Sequence, residues 1–348
     1  MSSTTIPKGS IVLVTGVNGY LGMHVANQVL LDGYKVRGTV RDSEKARWTQ
    51  EHFDKTYGKG NFEVSIVKDL AAEGAFDEII KGCSGVIHVA SDVTFGPDPN
   101  KVITPIVNGM EFLLHAASNQ SSIKSFVYTS SSSALSLTRL NERYTLNKDL
   151  WNETSVKAAW APPPYSADRA ADVYAASKTQ AEQKAWELLK NHEITGFKFN
   201  SINPNFLLGS ILHQKQNKST GGMPLGMLHN SPQAIEFLSA IGPQWVVNVE
   251  DVAKLHVIAL IDPAVSGERL LAYAEKFDYN KLIETMSKLV GDDAMEKNIE
   301  RKEESGGKDL SEVDVARSEE LLRGVGLQGL KGLEQSLKEC LDSAAALQ

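Results

Sequence analysis

Up to about residue 205, short β-branched apolar runs alternate with longer stretches whose apolar positions recur every three or four residues. The short runs, at 11–15, 35–40, 62–67, 85–90, 125–129 and 197–202, read as strands buried on both faces. The longer ones predict helices over 21–31, 44–56, 75–81, 105–119 and 172–191, with Gly33 closing the first. This β-α-β rhythm predicts an α/β fold: a Rossmann-type, doubly wound parallel sheet with right-handed crossovers. After Asn203 the rhythm degrades. Gly221-Gly222-Met223-Pro224-Leu225-Gly226 reads as a mobile apolar lid, and 246–249 as a further strand with Asp251 capping a helix over 252–260. The stretch 296–314 is charged and expected to be exposed, while 318–322 and 333–341 read as helices of a smaller C-terminal lobe. The expected division is a nucleotide-binding domain over 1–205 and a substrate-binding lobe over 206–348, with the segment around 244–262 returning to the first domain.

Composition narrows the function. A chain of 348 residues, 42% apolar and 23% charged, is an ordinary globular protein of one large domain with an added lobe, or of two domains. Its net charge of −7 disfavours a nucleic-acid partner. No apolar run reaches membrane-spanning length, and residues 1–10 lack a signal-peptide core, so a cytoplasmic protein with no membrane partner is expected. Cys83 and Cys340, the two cysteines, read as free thiols, and with no His-Glu-x-x-His or Cys-x-x-Cys a metal site is not expected.

The first chemical signal follows the first strand directly: Thr15-Gly16-Val17-Asn18-Gly19-Tyr20-Leu21-Gly22. Gly16 permits a tight turn, Gly19 lets backbone approach a pyrophosphate, and Gly22 lets the helix pack close. Asn18, Tyr20 and Leu21 complete this candidate loop. At the end of the second strand, where an acid would select NAD, stand Val40 and Arg41, with Lys45 four residues on. Two cations there favour NADPH, and Asp42 reads as a helix cap. Asp69-Leu70 is placed to touch the adenine.

The second signal is Tyr174-Ala175-Ala176-Ser177-Lys178 on a long helix, which sets phenol and ammonium on one face. Such a neighbour lowers a tyrosine pKa and suits the hydroxyl to proton donation near neutral pH. The fifth strand ends in Thr129-Ser130-Ser131-Ser132-Ser133, beyond the carboxyl edge where ligands lie in such sheets. Any of the four serines is placed to hold a carbonyl oxygen. Tyr165-x-x-x-Arg169 repeats the aromatic-cation spacing by chance, and His88, on an apolar strand, reads as a packed structural histidine.

On these motifs the chain resembles the extended short-chain dehydrogenase/reductase superfamily. It is most similar to the branch of plant dihydroflavonol and cinnamoyl-CoA reductases and fungal aldehyde/ketone reductases. Thr39-Val40-Arg41-Asp42, Val86-Ile87-His88-Val89-Ala90-Ser91, Asn203-Pro204-Asn205 and Val249-x-Asp251-Val252-Ala253 add to the resemblance, densest up to about residue 260. It implies Ser131 as the catalytic serine, acting with Tyr174 and Lys178. It sets Ala90, Ser91, Thr129, Ser130 and the Pro204 turn around the cofactor. The asparagine that some members carry three residues before the helix glycine Gly109 is Ile106 here, so three catalytic residues are carried over rather than four.

Candidate pocket residues are Phe95, Asn205, Phe206, Met223, Met227 and Trp245, an apolar cleft suited to small or aromatic carbonyl compounds. The leading expectation is an NADPH-dependent carbonyl reductase, monomeric or homodimeric. A nucleotide-sugar epimerase or dehydratase with bound NAD is the second, and a non-catalytic NADP-sensing regulator the third.

Overall fold

The computed structural model describes residues 4–216, 219–291, 295, 299, 301 and 307–347. Its elements begin β1 (Ile11–Thr15), α1 (Tyr20–Leu31), β2 (Lys35–Val40), α2 (Ser43–Tyr57), β3 (Phe62–Ile66), β4 (Cys83–His88), α3 (Pro99–Ser118) and β5 (Ser125–Thr129). Next come β6 (Thr145–Leu146), α4 (Glu153–Ala159), α5 (Ala170–Lys190), β7 (Lys198–Pro204) and β8 (Phe206–Leu208). The second half holds α6 (Met223–Leu228), α7 (Pro232–Ala240), β9 (Gln244–Asn248), α8 (Val249–Ile261), β10 (Arg269–Ala272), β11 (Glu275–Phe277) and α9 (Tyr279–Val290). It ends with β12 (Glu312–Val313), α10 (Ala316–Gly324) and α11 (Leu333–Ala346).

Seven strands form one sheet in the order β10-β7-β5-β4-β1-β2-β3. Every pairing in it is parallel. Helices cover both faces, which is why β1 and β5 are largely apolar and buried almost end to end. A separate three-stranded sheet, β11-β9-β8, forms the base of the small lobe. Its core gathers Leu208, Met227, Leu238, Val246, Phe277 and Leu337. Among the described residues no helix is long and apolar enough to cross a membrane.

Several expectations are corrected. Residues 75–81 form linked turns between Gly74 and Gly82, both at left-handed φ, rather than a helix; Phe76 and Ile80 still bury fully. Helix α3 starts at Pro99 behind the Asp98 cap, six residues before expectation, and runs through Pro105. The apolar stripe of Val102, Ile103, Met110, Leu113 and Leu114 outweighs the hydrogen bond that Pro105 lacks. Asn248, not Asp251, caps α8 by accepting the Glu250 N–H at 2.9 Å.

The second half also returns to the large sheet more often than expected. Strand β9 stays in the small sheet, whereas α8 packs on α1, β10 becomes an edge strand, and Leu321 and Leu322 of α10 join the main core. The region 221–226 is not a free lid. Its residues 223–226 form the start of α6, and a Cβ at Gly221 would meet the Tyr20 ring at 2.2 Å. Residues 296–298, 300 and 302–306 of the charged stretch lie outside the described residues, but Asp309 and Ser311 are buried and β12 pairs with β6.

Candidate active site

The glycine loop is shaped by contacts that exclude side chains. Gly16 sits at φ +71, and a Cβ there would come within 3.1 Å of Ala90. A Cβ at Gly22 would stand 2.2 Å from the Gly16 carbonyl, so Gly22 protects the turn itself. Gly38 on β2, unremarked in the sequence, leaves room for Val17 in the same way, at 2.6 Å. Thr15 Oγ1 accepts the N–H groups of Val89 and Ala90 at 3.0 Å and bonds His88 Nδ1 at 2.8 Å, fastening the ends of β1 and β4 together. Gly19 is exposed where α1 begins, and no side chain caps that helix, so its first N–H groups point at an open, anion-favouring position. Ser91, next in the chain to the Ala90 that Gly16 abuts, has its Oγ buried without a protein partner. A pyrophosphate-bearing dinucleotide fits this combination of uncapped donors and orphaned hydroxyl.

The rim residues divide. Arg41 is exposed at the β2 end. Asp42 caps α2 by accepting the Lys45 N–H at 2.9 Å, and its carboxylate pairs with Lys45 Nζ at 2.8 Å. Arg41 is therefore the less committed cation. Asp69 closes a turn on the Ala71 N–H at 2.8 Å, and the Leu70 carbonyl abuts Gly109 of α3. Tyr20 faces the small lobe, its ring 5.4 Å from His24 and its hydroxyl buried. Asn18 is half-buried in the loop and Leu21 is buried in the core.

At the β5 end, four serines take four directions. Ser130 Oγ donates to Glu182 at 2.6 Å, Ser132 lies by the buried Tyr273 hydroxyl, and Ser133 Oγ donates to Ser131 Oγ at 2.9 Å. Of the four, Ser131 is the one that acts on Tyr174, holding its pKa down against burial. Thr129 Oγ1 turns to His256 Nε2 at 2.7 Å. The side chains of Thr129 and Ser130, expected at the cofactor, thus belong to the framework. Lys178 on α5 is 3% exposed; its Nζ donates to the Thr129 carbonyl at 3.0 Å and lies 5.4 Å from the Tyr128 ring centre.

The electrostatics differ from expectation. Burial raises the Tyr174 pKa, and the bond from Ser131 only partly pulls it back. Tyr174 therefore holds its proton at neutral pH, which suits a donor. Burial pushes Lys178 down to about 8, with Glu182 opposing. His88, pushed down to about 3 by burial with Lys178 adding to it, is a neutral packed residue, as expected.

Of the pocket candidates, Phe95 meets the catalytic group directly. Its backbone is left-handed (φ 54), it is 49% exposed, and its ring lies 4.9 Å from that of Tyr174. A cavity of about 480 Å³ opens beside it, lined by polar residues including Asp92, Asp98, Lys101 and Tyr165. Pro204 ends β7 and Asn205 follows it, its N–H donating to the Ala272 carbonyl at 3.2 Å and its Oδ1 accepting the Phe206 N–H at 2.7 Å. Phe206 and Met223 pack on the small-lobe core and Met227 is fully enclosed in it. Trp245 donates to Ser311 Oγ at 2.9 Å and packs edge-on against Tyr273. Ile106 joins the apolar seam between α3 and α5 and offers no proton path.

Sequence reasoning missed Glu182, Arg269 and Tyr273. Glu182 had a usable signal, since it follows Lys178 by four residues on the same helix face; Arg269 is a lone cation before an apolar run, and Tyr273 had none.

A family model described as the NAD dependent epimerase/dehydratase family matches residues 12–271. The chain belongs to that family, a branch of the extended short-chain dehydrogenases/reductases. It is 43% identical over 288 residues to the NAD-dependent epimerase/dehydratase terH of Aspergillus terreus, covering 83% of this chain and 84% of that one. It is 35% identical to aldehyde reductase 2 of Sporidiobolus salmonicolor, covering 99% of each. The crystal structure of Gre2 from Candida albicans in complex with NADPH superposes with a TM-score of 0.81 at 25% identity, over 97% of this chain and 99% of that one.

Proposed function

We propose that the chain is an NADPH-dependent carbonyl reductase that converts an aldehyde or ketone to an alcohol. The observation that carries this reading is Ser131, which accepts from Ser133 Oγ at 2.9 Å and acts on the hydroxyl of Tyr174, a protonated phenol whose ring lies 4.9 Å from that of Phe95. The relatives named as an aldehyde reductase and as an NADPH complex support it. NADPH, when bound, supplies the hydride. Ser131, with its oxygen already accepting from Ser133, keeps its own hydrogen for the substrate oxygen or for Tyr174. Tyr174 gives its Oη proton to the oxygen of the reduced carbonyl, and Ser131 then stabilises the phenolate. Lys178 leaves its remaining protons for ribose hydroxyls, and Arg41 answers a 2′-phosphate. Phe95 covers one side of the reacting carbonyl. Two buried free thiols support a reducing compartment, the cytoplasm, and we take the enzyme as a monomer or homodimer.

Loss of NADPH absorbance on addition of aldehydes, α-ketoesters and aryl ketones, with NADH in parallel, tests the reading. Turnover with an NADPH preference is expected. Retention of an unchanged nucleotide through a turnover, with no carbonyl reduced, would move the chain to the epimerase chemistry named in the terH relative.

A further inference from the structure

Glu182 lies one turn beyond Lys178 on α5, in register with Tyr174 and Lys178, and is fully buried. Burying a carboxylate is costly unless its lone pairs are met. Here they are. Oε1 accepts from Ser201 Oγ at 2.6 Å and Arg269 Nε at 2.8 Å, with Trp186 Nε1 at 3.4 Å. Oε2 accepts from Ser130 Oγ at 2.6 Å, Asn203 Nδ2 at 3.0 Å and Arg269 Nη2 at 3.2 Å. One carboxylate thereby joins α5 to β5, β7 and β10. The Asn203 amide also donates to the Ser131 carbonyl at 3.3 Å, so the network reaches the serine that acts on Tyr174. Arg269 is itself fixed. Its guanidinium lies 3.7 Å over the Trp151 ring and donates to the Leu150 carbonyl at 2.8 Å.

An apolar residue of similar volume would serve stability as well, because a buried ion pair gains little over packed hydrocarbon. The arrangement is accounted for by its position behind Ser131 and Lys178. We propose that Glu182, held by Arg269, is a positioning residue of the reduction, setting the 129–131 strand end against Tyr174 and keeping Lys178 charged. The inference rests on the reductase reading for its role in turnover, but its effect on Lys178 is measurable without turnover.

The groups facing Lys178 are Tyr174 and Glu182 on α5, Tyr128 and the Thr129 carbonyl on β5, and the neutral His88 on β4. Arg269 stands behind Glu182. Both tyrosines are protonated, since burial raises each. Glu182 therefore supplies the negative charge that opposes the effect of burial on Lys178. Neutralising it leaves Arg269 unopposed, and the ammonium loses its proton at lower pH. Removing Arg269 instead leaves the carboxylate unopposed, and the ammonium keeps its proton to higher pH. A purely structural role would degrade both variants in the same sense.

The test uses the full chain as wild type, Glu182→Gln, Glu182→Asp and Arg269→Gln. Two quantities are read: the alkaline limb of kcat/KM, and the pH dependence of Lys178 acylation by acetic anhydride, measured on its peptide by mass spectrometry. Glu182→Gln is expected to move both midpoints down by about one pH unit. It should lower kcat about tenfold with carbonyl KM and NADPH affinity within about threefold. Glu182→Asp should restore the midpoints, and Arg269→Gln should move them upward. A folded Glu182→Gln with wild-type midpoints, or midpoints moving the same way in both variants, overturns the proposal. If Glu182→Gln does not fold, the sign of the shift in Arg269→Gln decides. A wild type that reduces no carbonyl defeats the reductase reading, while the acylation midpoints still judge Glu182.

Discussion

Around Lys178 the chain buries polar side chains from four elements, Ser130, Glu182, Ser201, Asn203 and Arg269, each answered by a directed hydrogen bond. The small lobe is built differently. Its strands β8, β9 and β11 close on Leu208, Val246 and Phe277, with Phe206 and Phe237 stacked alongside at 6.5 Å. Directed bonds admit few geometries, so the first region is held in one arrangement. Apolar contact is non-directional, and cores tolerate volume-conserving exchanges. A fold that keeps its chemistry in the first material can vary the packing of the second without disturbing the proton donor.

The sharpest division between the two regions comes from Tyr174→Phe. It removes the proton donor and leaves the fold intact, so kcat is expected to fall by about 10²–10⁴-fold with NADPH binding unchanged. Steady-state kinetics beside cofactor titration check this, and retained turnover would remove the catalytic assignment. Phe277→Ala should do the converse. Phe277 is 3% exposed in the small-lobe core, and its truncation is expected to cost about 3 kcal/mol or more of stability. Denaturant unfolding reads that loss, and kcat measured well below the melting temperature should stay within severalfold of wild type. A collapse of kcat to the Tyr174→Phe level would show that the lobe's packing sets the chemistry after all.

Arg41→Ala probes the cofactor rim, which belongs to neither material. Because Asp42 engages Lys45, the loss should fall on NADPH, about tenfold or more in affinity, and hardly on NADH. Equal losses on both cofactors would transfer the selectivity to other residues.

The same contrast separates what is legible in the amino-acid sequence from what is not. The glycine loop, the β5 serines and the Tyr174–Lys178 pair are legible because each demands particular residue types at fixed spacing next to a strand or helix. The parallel sheet up to β7 is legible for a similar reason, since short runs rich in apolar and β-branched residues alternate with helical stretches. The pocket is not. Met227 and Phe206 look like lining residues in sequence, yet the small sheet folds them onto a core, and only the left-handed turn at Phe95 turns a ring toward Tyr174. Nor are β10 and α10 legible, because their return to the large sheet depends on contacts across long stretches of chain. The choice of Ser131 rests on the fold or on the family resemblance; periodicity cannot say which hydroxyl of a run faces a helix.

The seam between the two regions has its own titrating group, and it supplies the smallest expected effect. Asp251 of α8 is 3% exposed and accepts the Lys331 N–H at 2.7 Å, while the Lys331 ammonium pairs with Glu339 at 2.9 Å and Glu250 at 3.2 Å. Burial, the largest influence, pushes the Asp251 carboxyl up to about 6, with Lys331 opposing and Glu339 and Glu250 adding to the rise. The folded chain therefore binds this proton more tightly than the unfolded chain, whose carboxyl titrates near 4. The stability gained by protonating Asp251 is present below that lower value and is lost as pH rises through about 6. Asp251→Asn keeps the acceptor for the Lys331 N–H and cannot ionise. Its stability relative to wild type should rise by about 1–2 kcal/mol between pH 4 and pH 7. Parallel urea unfolding at the two pH values measures the difference. A relative stability that does not change with pH would mean that Lys331 keeps Asp251 ionised throughout, and that the seam is held by charge rather than by a buried proton.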